Sequence, residues 1–440
     1  MSIRPYDVIG VGLGPFNLSL ACLIEPIKSL NTIFFDKNPE FNWHPGIMIE
    51  GSHLQTPFMS DLVTLADPTS PYSFLNFLKK QGRLYPFYIR ENFFILREEY
   101  NKYCQWATTK LNNIQFNSEV MAIDKNRQHD IYKVTVKDPN TKKCTYYFAK
   151  RLVIGTGPVP SLPSCCDDSA LIKQHSSRYL TNKPVLQQQS SITVLGSGQS
   201  AAEIFYDLLQ DIDHYNYTLS WITRSPRYFP LEYTKLTLEM TSPEYVDYFY
   251  DLPKNKRQQL IKEQKNLYKG INSELINLIY DLLYTKSLNT DIDVNLHTNA
   301  TLHNISPFSN EKGFTLGLRN KESQEAYCHT TEGLIFATGY QYKIPQFLNN
   351  ISNDIRWDDQ QGTFNAHRNY TIDHQQSRIF VQNAEFNTHG FVTPDLGMAC
   401  YRNAHIIQSL LGKPYYPIEQ RIAFQTFGAP AHQRIAQVKY

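Results

Sequence analysis

Asp7-Val8-Ile9-Gly10-Val11-Gly12-Leu13-Gly14-Pro15-Phe16-Asn17 is the stretch that decides the fold. The apolar run Val8 to Val11 predicts a buried strand, stopped by closely spaced glycines and followed by a helix over Leu18 to Leu23. Gly10, Gly12 and Gly14 permit a tight turn that brings bare backbone N–H groups at a helix start up to a dinucleotide pyrophosphate. Pro15 stands where the third glycine of such a fingerprint usually falls. About twenty residues on, Thr32-Ile33-Phe34-Phe35-Asp36 predicts a second strand ending in an acid, the place from which a ribose hydroxyl is bound.

A second copy lies near mid-chain. Ser191 to Leu195 is another apolar strand, and Gly196-Ser197-Gly198-Gln199-Ser200-Ala201 completes the glycine pattern ahead of a helix. A glycine-rich turn without nucleotide would explain either copy alone. Two copies in one chain predict an α/β protein with two Rossmann-like dinucleotide-binding domains, FAD on the first and a nicotinamide on the second.

Composition bounds the rest. The chain has 440 residues and a net charge of +2, enough for two or three packed units and too little charge to favour nucleic acid or an anionic membrane surface. No apolar run reaches the ~20 residues of a membrane helix. The first strand starts too early to leave room for a signal peptide, and the seven cysteines show no Cys-x-x-Cys spacing, so reduced thiols and a cytoplasmic location are expected.

Between the fingerprints, Phe41-Asn42-Trp43-His44-Pro45-Gly46 and His53 to Leu62 read as a proline-punctuated loop. Trp43, His44 and Gln55 are its candidates to wall a flavin ring, and the alternative is an ordered surface loop with one buried tryptophan. Helices are predicted over Tyr72 to Lys80 and Arg97 to Leu111, and a hairpin over Tyr132 to Val136 and Tyr146 to Lys150. Leu152 to Gly157 is a strand closing in Gly-Thr-Gly, where Gly157 again lets backbone approach the flavin nucleotide. Lys183 to Ser190 reads as a polar crossing between domains.

After the second fingerprint, Ser220 to Thr223 leads to Arg224-Ser225-Pro226-Arg227 with no terminal acid. Arg224, Ser225 and Arg227 suit a 2′-phosphate, which favours NADPH over NADH; two solvated arginines are the plainer account. Residues 240–285 are helix-like, with a break at Gly270. Gly333 to Tyr340 repeats a strand closing in Thr-Gly, with Thr338 and Gly339 assigned to the nicotinamide nucleotide. Ile379 to Ala384 is a further strand, followed by Thr388-His389-Gly390 and a helix from about Asp395 to Leu411. The division expected is 1–185 and 336–440 for FAD, 186–238 and 291–335 for NADPH, and 239–290 as a smaller helical substrate-binding insert.

These pieces occur in one order: Gly-x-Gly-x-Gly-Pro-Phe-Asn at 10–17, Trp43-His44-Pro45-Gly46, Asp61-Leu62-Val63 with Pro71-Tyr72-Ser73-Phe74, Gly196 to Ala201, Phe336 to Tyr340 and Thr388-His389-Gly390. The set resembles the N-hydroxylating flavin monooxygenases of siderophore biosynthesis, the lysine and ornithine N-monooxygenase family, over nearly the whole chain. The resemblance implies that NADPH reduces FAD and that reduced flavin adds O2 as a C4a-hydroperoxide. An amine lone pair then takes the distal oxygen. It implies FAD contacts from Gly10, Gly12, Gly14, Pro15, Asp36, Trp43, His44, Gln55, Gly157, His389 and Gly390. It implies NADPH contacts from Gly196, Gly198, Gln199, Ser200 and Ala201, and substrate contacts from Ser60, Leu238, Tyr268 and Val392. It also implies a homo-oligomer, dimer or tetramer.

The segment Phe58-Met59-Ser60-Asp61-Leu62 departs from the family. Members acting on free lysine or ornithine read Phe-Leu-Lys-Asp-Leu, and that lysine pairs with the substrate α-carboxylate. Serine carries no charge, and a buried carboxylate without a cation is costly. A primary amine lacking the carboxylate is therefore expected: putrescine or cadaverine first, histamine second. Lys235, Lys265 or Lys269 from the insert could instead replace the missing cation, restoring lysine or ornithine as substrate. For a diamine, Glu232, Glu239 and Asp395 are candidates to hold the second ammonium; for histamine, Tyr233, Tyr245 and Tyr268 would wall the ring. A free alkylamine has a pKa near ~10.4, so the site must desolvate the ammonium to expose its lone pair.

Other classes fit less well. A disulfide reductase needs a cysteine pair after the first helix, where only Cys22 lies. A non-catalytic dinucleotide-binding protein predicts binding without NADPH turnover. His44, His53 and His389 lack metal-ligand spacing, so no metal is expected.

Overall fold

A computed structural model of the chain describes residues 4–430, apart from 167–168, 289–290, 309–311, 359 and 361. The first strand, Tyr6–Val11, lies mid-sheet, with Thr32–Phe35 parallel on one side and Cys144–Ile154 parallel on the other. Cys144–Ile154 has two kinds of partner along its length. Its first part pairs antiparallel with Ile131–Lys137, which continues to Glu119–Asn126, and its last three residues pair parallel with Ile379–Val381. The alternation Tyr132, Val134, Val136 buries one face of this meander, as a two-residue period requires. The strands next to the nucleotide turn are buried on both faces and apolar throughout: Val8, Ile9, Leu152, Val153 and Ile154 are all inaccessible to solvent.

The second sheet is wholly parallel, in the order Val294–His297, Thr218–Ile222, Ser191–Leu195, Gly333–Phe336. The helix Gln199–Tyr215 packs on it through Ala201, Ile204, Phe205, Leu208 and Ile212, one stripe at helical spacing. A three-stranded antiparallel sheet, residues 300–331, follows. The stretch read as helix-like holds the helices Pro243–Asp251, Lys254–Glu263 and Ser273–Ser287. Asn272 caps the last of these by accepting the N–H groups of Glu274 and Leu275. Gly270 separates the helices for a steric reason, since a Cβ there would lie 2.4 Å from Leu231 backbone.

Four local expectations are corrected. His53–Pro57 is a strand, because Phe94–Leu96 pairs with it antiparallel from forty residues away. Tyr146 to Lys150 and Leu152 to Ile154 form one strand with no turn between them. Lys183 to Ser190 begins inside the helix Tyr179–Leu186, which carries Pro184 internally. The last long helix starts at Ala399, after a separate 3-10 turn, Leu396–Met398, capped by Asp395. Among the described residues no helix is long and apolar enough to cross a membrane.

Candidate active site

A cavity of about 630 Å3 opens where the parallel strands of the first sheet end. Gly12 to Asn17 follow the first strand into its wall, Asp36 follows the second, Gly155 to Pro158 follow Cys144–Ile154, and Gln382 and Asn383 follow Ile379–Val381. Carboxyl ends of adjacent parallel strands are where open α/β sheets bind nucleotides. Gln199 and Ser200 of the second unit and Leu238, Leu267 and Tyr268 of the insert region complete the wall.

The turn glycines divide by role. Gly12 has φ +84°, and a Cβ there would lie 2.5 Å from the Gly155 carbonyl oxygen. Gly14 is the N-cap of the helix Pro15–Ile24 with no side-chain cap, and a Cβ there would meet nothing within 4 Å. Its methyl would enter the cavity beside uncapped backbone N–H groups, the approach a pyrophosphate needs. Gly157, at φ +70°, is equally open. Asp36 Oδ2 accepts the Leu13 N–H at 2.7 Å, and Oδ1 accepts that of Asn38, which fixes the carboxylate at the rim with a lone pair to spare on each oxygen. Asn17 Oδ1, Thr56 Oγ1 and the Tyr340 hydroxyl are buried wall atoms without a protein hydrogen-bond partner. Such orphans are expected where a polar ligand satisfies them. This wall fits a dinucleotide.

Trp43, His44 and Gln55 lie together on the wall. The Trp43 ring sits edge-on to Tyr100 at 5.3 Å, and the Trp43 backbone N–H donates to Asn101 Oδ1. His44 adopts the left-handed conformation (φ +51°), strained for a residue with a side chain. Burial, with Arg97 adding to it, lowers its pKa to about 4, so the imidazole is neutral. Gln55 Nε2 donates to Gln199 Oε1 at 3.1 Å, and the same oxygen accepts the Asn272 N–H at 2.8 Å. Gln199 Nε2 donates to Glu203 Oε1, and Glu203 receives two bonds from Arg97, at 2.7 and 3.0 Å. One chain of hydrogen bonds thus joins the flavin-side loop, the second helix and the insert. Sequence reasoning missed Arg97 and Glu203, which are 106 positions apart and carry no local motif.

In the second unit, Gly198 caps the helix Gln199–Tyr215 without a side-chain acceptor, and its would-be Cβ meets only the Lys269 carbonyl, at 3.6 Å. Gly196 is required by close packing on the Ala337 carbonyl, and Ala201 is buried against the sheet. Arg224 and Arg227 are exposed after Thr218–Ile222, Arg227 over the Phe229 ring, and the Ser225 N–H donates to Thr223 Oγ1. Burial lowers the Lys269 pKa, and Lys265 and Arg224 lower it further, marking a positive field beside this helix start. Thr338 Oγ1 donates to the Ser161 carbonyl, and Gly339, at φ +82°, faces open space. Open glycines, a bare helix N-terminus and this field fit a phosphorylated nicotinamide nucleotide.

Several expected site residues lie off the cavity wall. Gly10 is buried because the Phe34 ring occupies the space a Cβ would take. His389 is enclosed, stacked on Tyr370 at 4.5 Å and bonded to the Arg368 carbonyl, and Gly390 packs on Phe249. Val392 belongs to the cluster of Tyr245, Val246 and Phe249 beneath the wall. Ser60 stands just behind the wall: its Oγ lies 3.2 Å from where a Gly397 Cβ would be, as does Asp395 Oδ1. Lys235, Lys265 and Lys269 are absent from the wall, and Glu239 instead binds the N–H groups of Phe424 and Gln425.

Two glycine-led βαβ turns on separate sheets, the first mixed and the second wholly parallel, joined at one cavity, define a two-dinucleotide flavoprotein. A family model described as L-lysine 6-monooxygenase/L-ornithine 5-monooxygenase matches residues 4–342, and the chain belongs to that family. It is 55% identical over 422 residues to the putrescine N-hydroxylase of Shewanella oneidensis, covering 96% of this chain and 84% of that protein. A similar solved structure is the FAD-bound cadaverine monooxygenase of the desferrioxamine pathway from Erwinia amylovora, with TM-score 0.95, 55% identity, and 97% and 99% of the two chains covered. The ornithine N-hydroxylase of Kutzneria sp. 744, solved with reduced FAD, NADP+ and L-ornithine, aligns with TM-score 0.85 at 27% identity, covering 93% and 99%. The protein is an NADPH-dependent flavin N-hydroxylating monooxygenase that uses FAD, NADPH and O2. The expected fold, family and cofactors hold.

Proposed function

We propose that the substrate is a primary amine without an α-carboxylate, an aliphatic diamine such as putrescine or cadaverine, hydroxylated for siderophore biosynthesis. One observation carries the reading: among the described residues the only cation on the cavity wall is Arg97, and Glu203 already occupies it bidentately. A free amino acid would bury its carboxylate there without a partner, at a cost of several kcal/mol. Ser60 supplies no charge, and the three lysines that might have replaced one are elsewhere. The similarity to putrescine and cadaverine enzymes points the same way.

Bound FAD, reduced by NADPH, supplies the activation of O2 and the oxygen atom transferred. This chain's residues prepare the amine. Trp43, Leu54 and Leu238 offer aromatic and apolar surface that strips water from the reacting ammonium and favours its neutral form. His44, neutral and weakly basic, does not compete for that proton. Gln55, held through Gln199, and Trp43, held by Asn101, are the groups proposed to sit against the reacting centre. The proposed division gives FAD residues 1–185 and 336–440, and NADPH 186–238 and 291–335, with 239–290 closing the cavity. A homo-oligomer and a cytoplasmic location complete the reading, the first from the family and the second from cysteine usage.

The test is hydroxylamine formation measured beside NADPH oxidation for putrescine, cadaverine, histamine, lysine and ornithine. Product from the diamines at the highest kcat/KM supports the reading. Efficient product from lysine or ornithine overturns it, and preference for histamine overturns the diamine choice alone.

A further inference from the structure

The substrate proposed above has two ammonium groups, and only one reacts. Four carboxylates reach the cavity wall: Asp36, Glu40, Glu232 and Asp395. Asp36 belongs to the nucleotide turn, Glu40 is exposed beside it, and Glu232 is exposed and bonded to Asn266. Asp395 differs from all three. It shares the cavity wall with Tyr233, Tyr268, Phe391 and Leu396.

We propose that Asp395 receives the second, non-reacting ammonium of the substrate and so selects diamines over monoamines of equal length; the proposal rests on the diamine reading. Asp395 caps the turn Leu396–Met398 with one oxygen, Oδ1, which accepts the Gly397 N–H at 2.8 Å. Capping alone does not require a charge, since Asn or Ser would serve equally. The charge is therefore left over, on a carboxylate whose second oxygen is not engaged by the cap. Nor does the neighbour on its other flank supply a countercharge, because Ser60 is the side chain that shares the space in front of Gly397. Arg402 lowers the Asp395 pKa from a distance but forms its own buried pair with Glu385.

The surroundings suit an alkylammonium. Tyr268 and Phe391 are stacked with centroids 6.4 Å apart, and aromatic faces beside a carboxylate bind ammonium through both charge and ring quadrupole. Asp395 is half-buried, and desolvation raises its pKa, so a cation placed against the carboxylate would be favourable. The arrangement also separates the two ends of one molecule. An anion keeps the far nitrogen charged, whereas the reacting nitrogen must lose its proton, which apolar wall surface without a carboxylate favours.

The experiment compares kcat/KM for hydroxylamine formation from 1,4-diaminobutane with n-butylamine, and from 1,5-diaminopentane with n-pentylamine. The wild-type holoenzyme is expected to prefer the diamine by at least about 30-fold, the lower end for a buried charge pair. Asp395→Asn, which keeps the cap, is expected to bring that ratio to within about threefold of unity. Ser60→Lys, which leaves Asp395 in place but puts an ammonium beside it, is expected to lower the ratio in the same direction. A wild-type ratio near unity overturns the proposal without any variant. A diamine preference that survives Asp395→Asn, or a variant that loses both amines equally, also overturns it while the diamine reading stands. A wild-type enzyme that prefers lysine or ornithine overturns both.

Discussion

Replacing Glu203 by Gln removes the charge around which Arg97 is folded. Both side chains are at most about a tenth exposed, 10% and 7%, and they meet through two hydrogen bonds. Glu203→Gln leaves a buried guanidinium with the Ile47 carbonyl and a neutral amide as acceptors. Breaking one side of a buried pair costs about 3–5 kcal/mol. At about 2 °C per kcal/mol for a unit of some 200 residues, the melting temperature falls by roughly 6–10 °C. The assay is a thermal melt of the FAD-loaded enzyme, run on Glu203→Gln, Arg97→Met and the double variant Arg97→Met/Glu203→Leu. The double variant removes both charges and is expected to recover most of the loss. A Glu203→Gln melt within about 2 °C of wild type would refute the reasoning, because the pair would then be worth no more than a surface contact. A double variant as unstable as the singles would refute it differently, assigning the loss to packing.

Two further outcomes follow from neighbouring features. Gly12→Ala forces a side chain to φ +84° and against the Gly155 carbonyl, so little folded protein is expected on gel filtration; Gly14→Ala meets no protein atom and should melt near wild type while binding FAD on the order of tenfold more weakly by fluorescence titration. Burial lowers the pKa values of His44 and His405 to about 4, below the ~6.5 of an unfolded histidine. Stability from keeping them neutral is present above about pH 6.5 and is lost as pH falls through about 4. Melting temperature should therefore drop across that window, and His405→Phe, which keeps the contact with Tyr401, should flatten the drop.

The fold was readable where local chemistry dictates it. Both glycine turns, the alternation in Tyr132 to Val136 and the break at Gly270 are set within a few residues of sequence. The strand His53–Pro57 was not readable, since its identity depends on Phe94–Leu96, and a proline-ended run of mixed polarity has no period of its own. Pro184 and the glutamines disguised the helix Tyr179–Leu186, which is stabilised by Tyr179 and Leu186 packing on the second sheet's core. Within the site, Asp36, named from fingerprint spacing, and Trp43 and Gln55, named from the loop cluster, all line the cavity. The family resemblance also put His389 at the flavin nucleotide, yet its ring stacks on Tyr370, because direction within a turn depends on what packs behind it. Asp395 stood in the sequence only as one acid among three; of the other two, Glu239 is engaged by Phe424 and Gln425 and Glu232 is exposed.

An acid at one end of the cavity bears on how many oxygen atoms a symmetric substrate takes up. Putrescine and cadaverine present two identical amines, so either end can enter first. Once one end is a hydroxylamine, a far weaker base, the product is lopsided. To be oxidised again it would have to turn round and offer Asp395 its uncharged end, leaving a carboxylate buried without a cation. If Asp395 plays the proposed role, the pocket distinguishes ends that the free diamine does not, and the second amine should stay unhydroxylated.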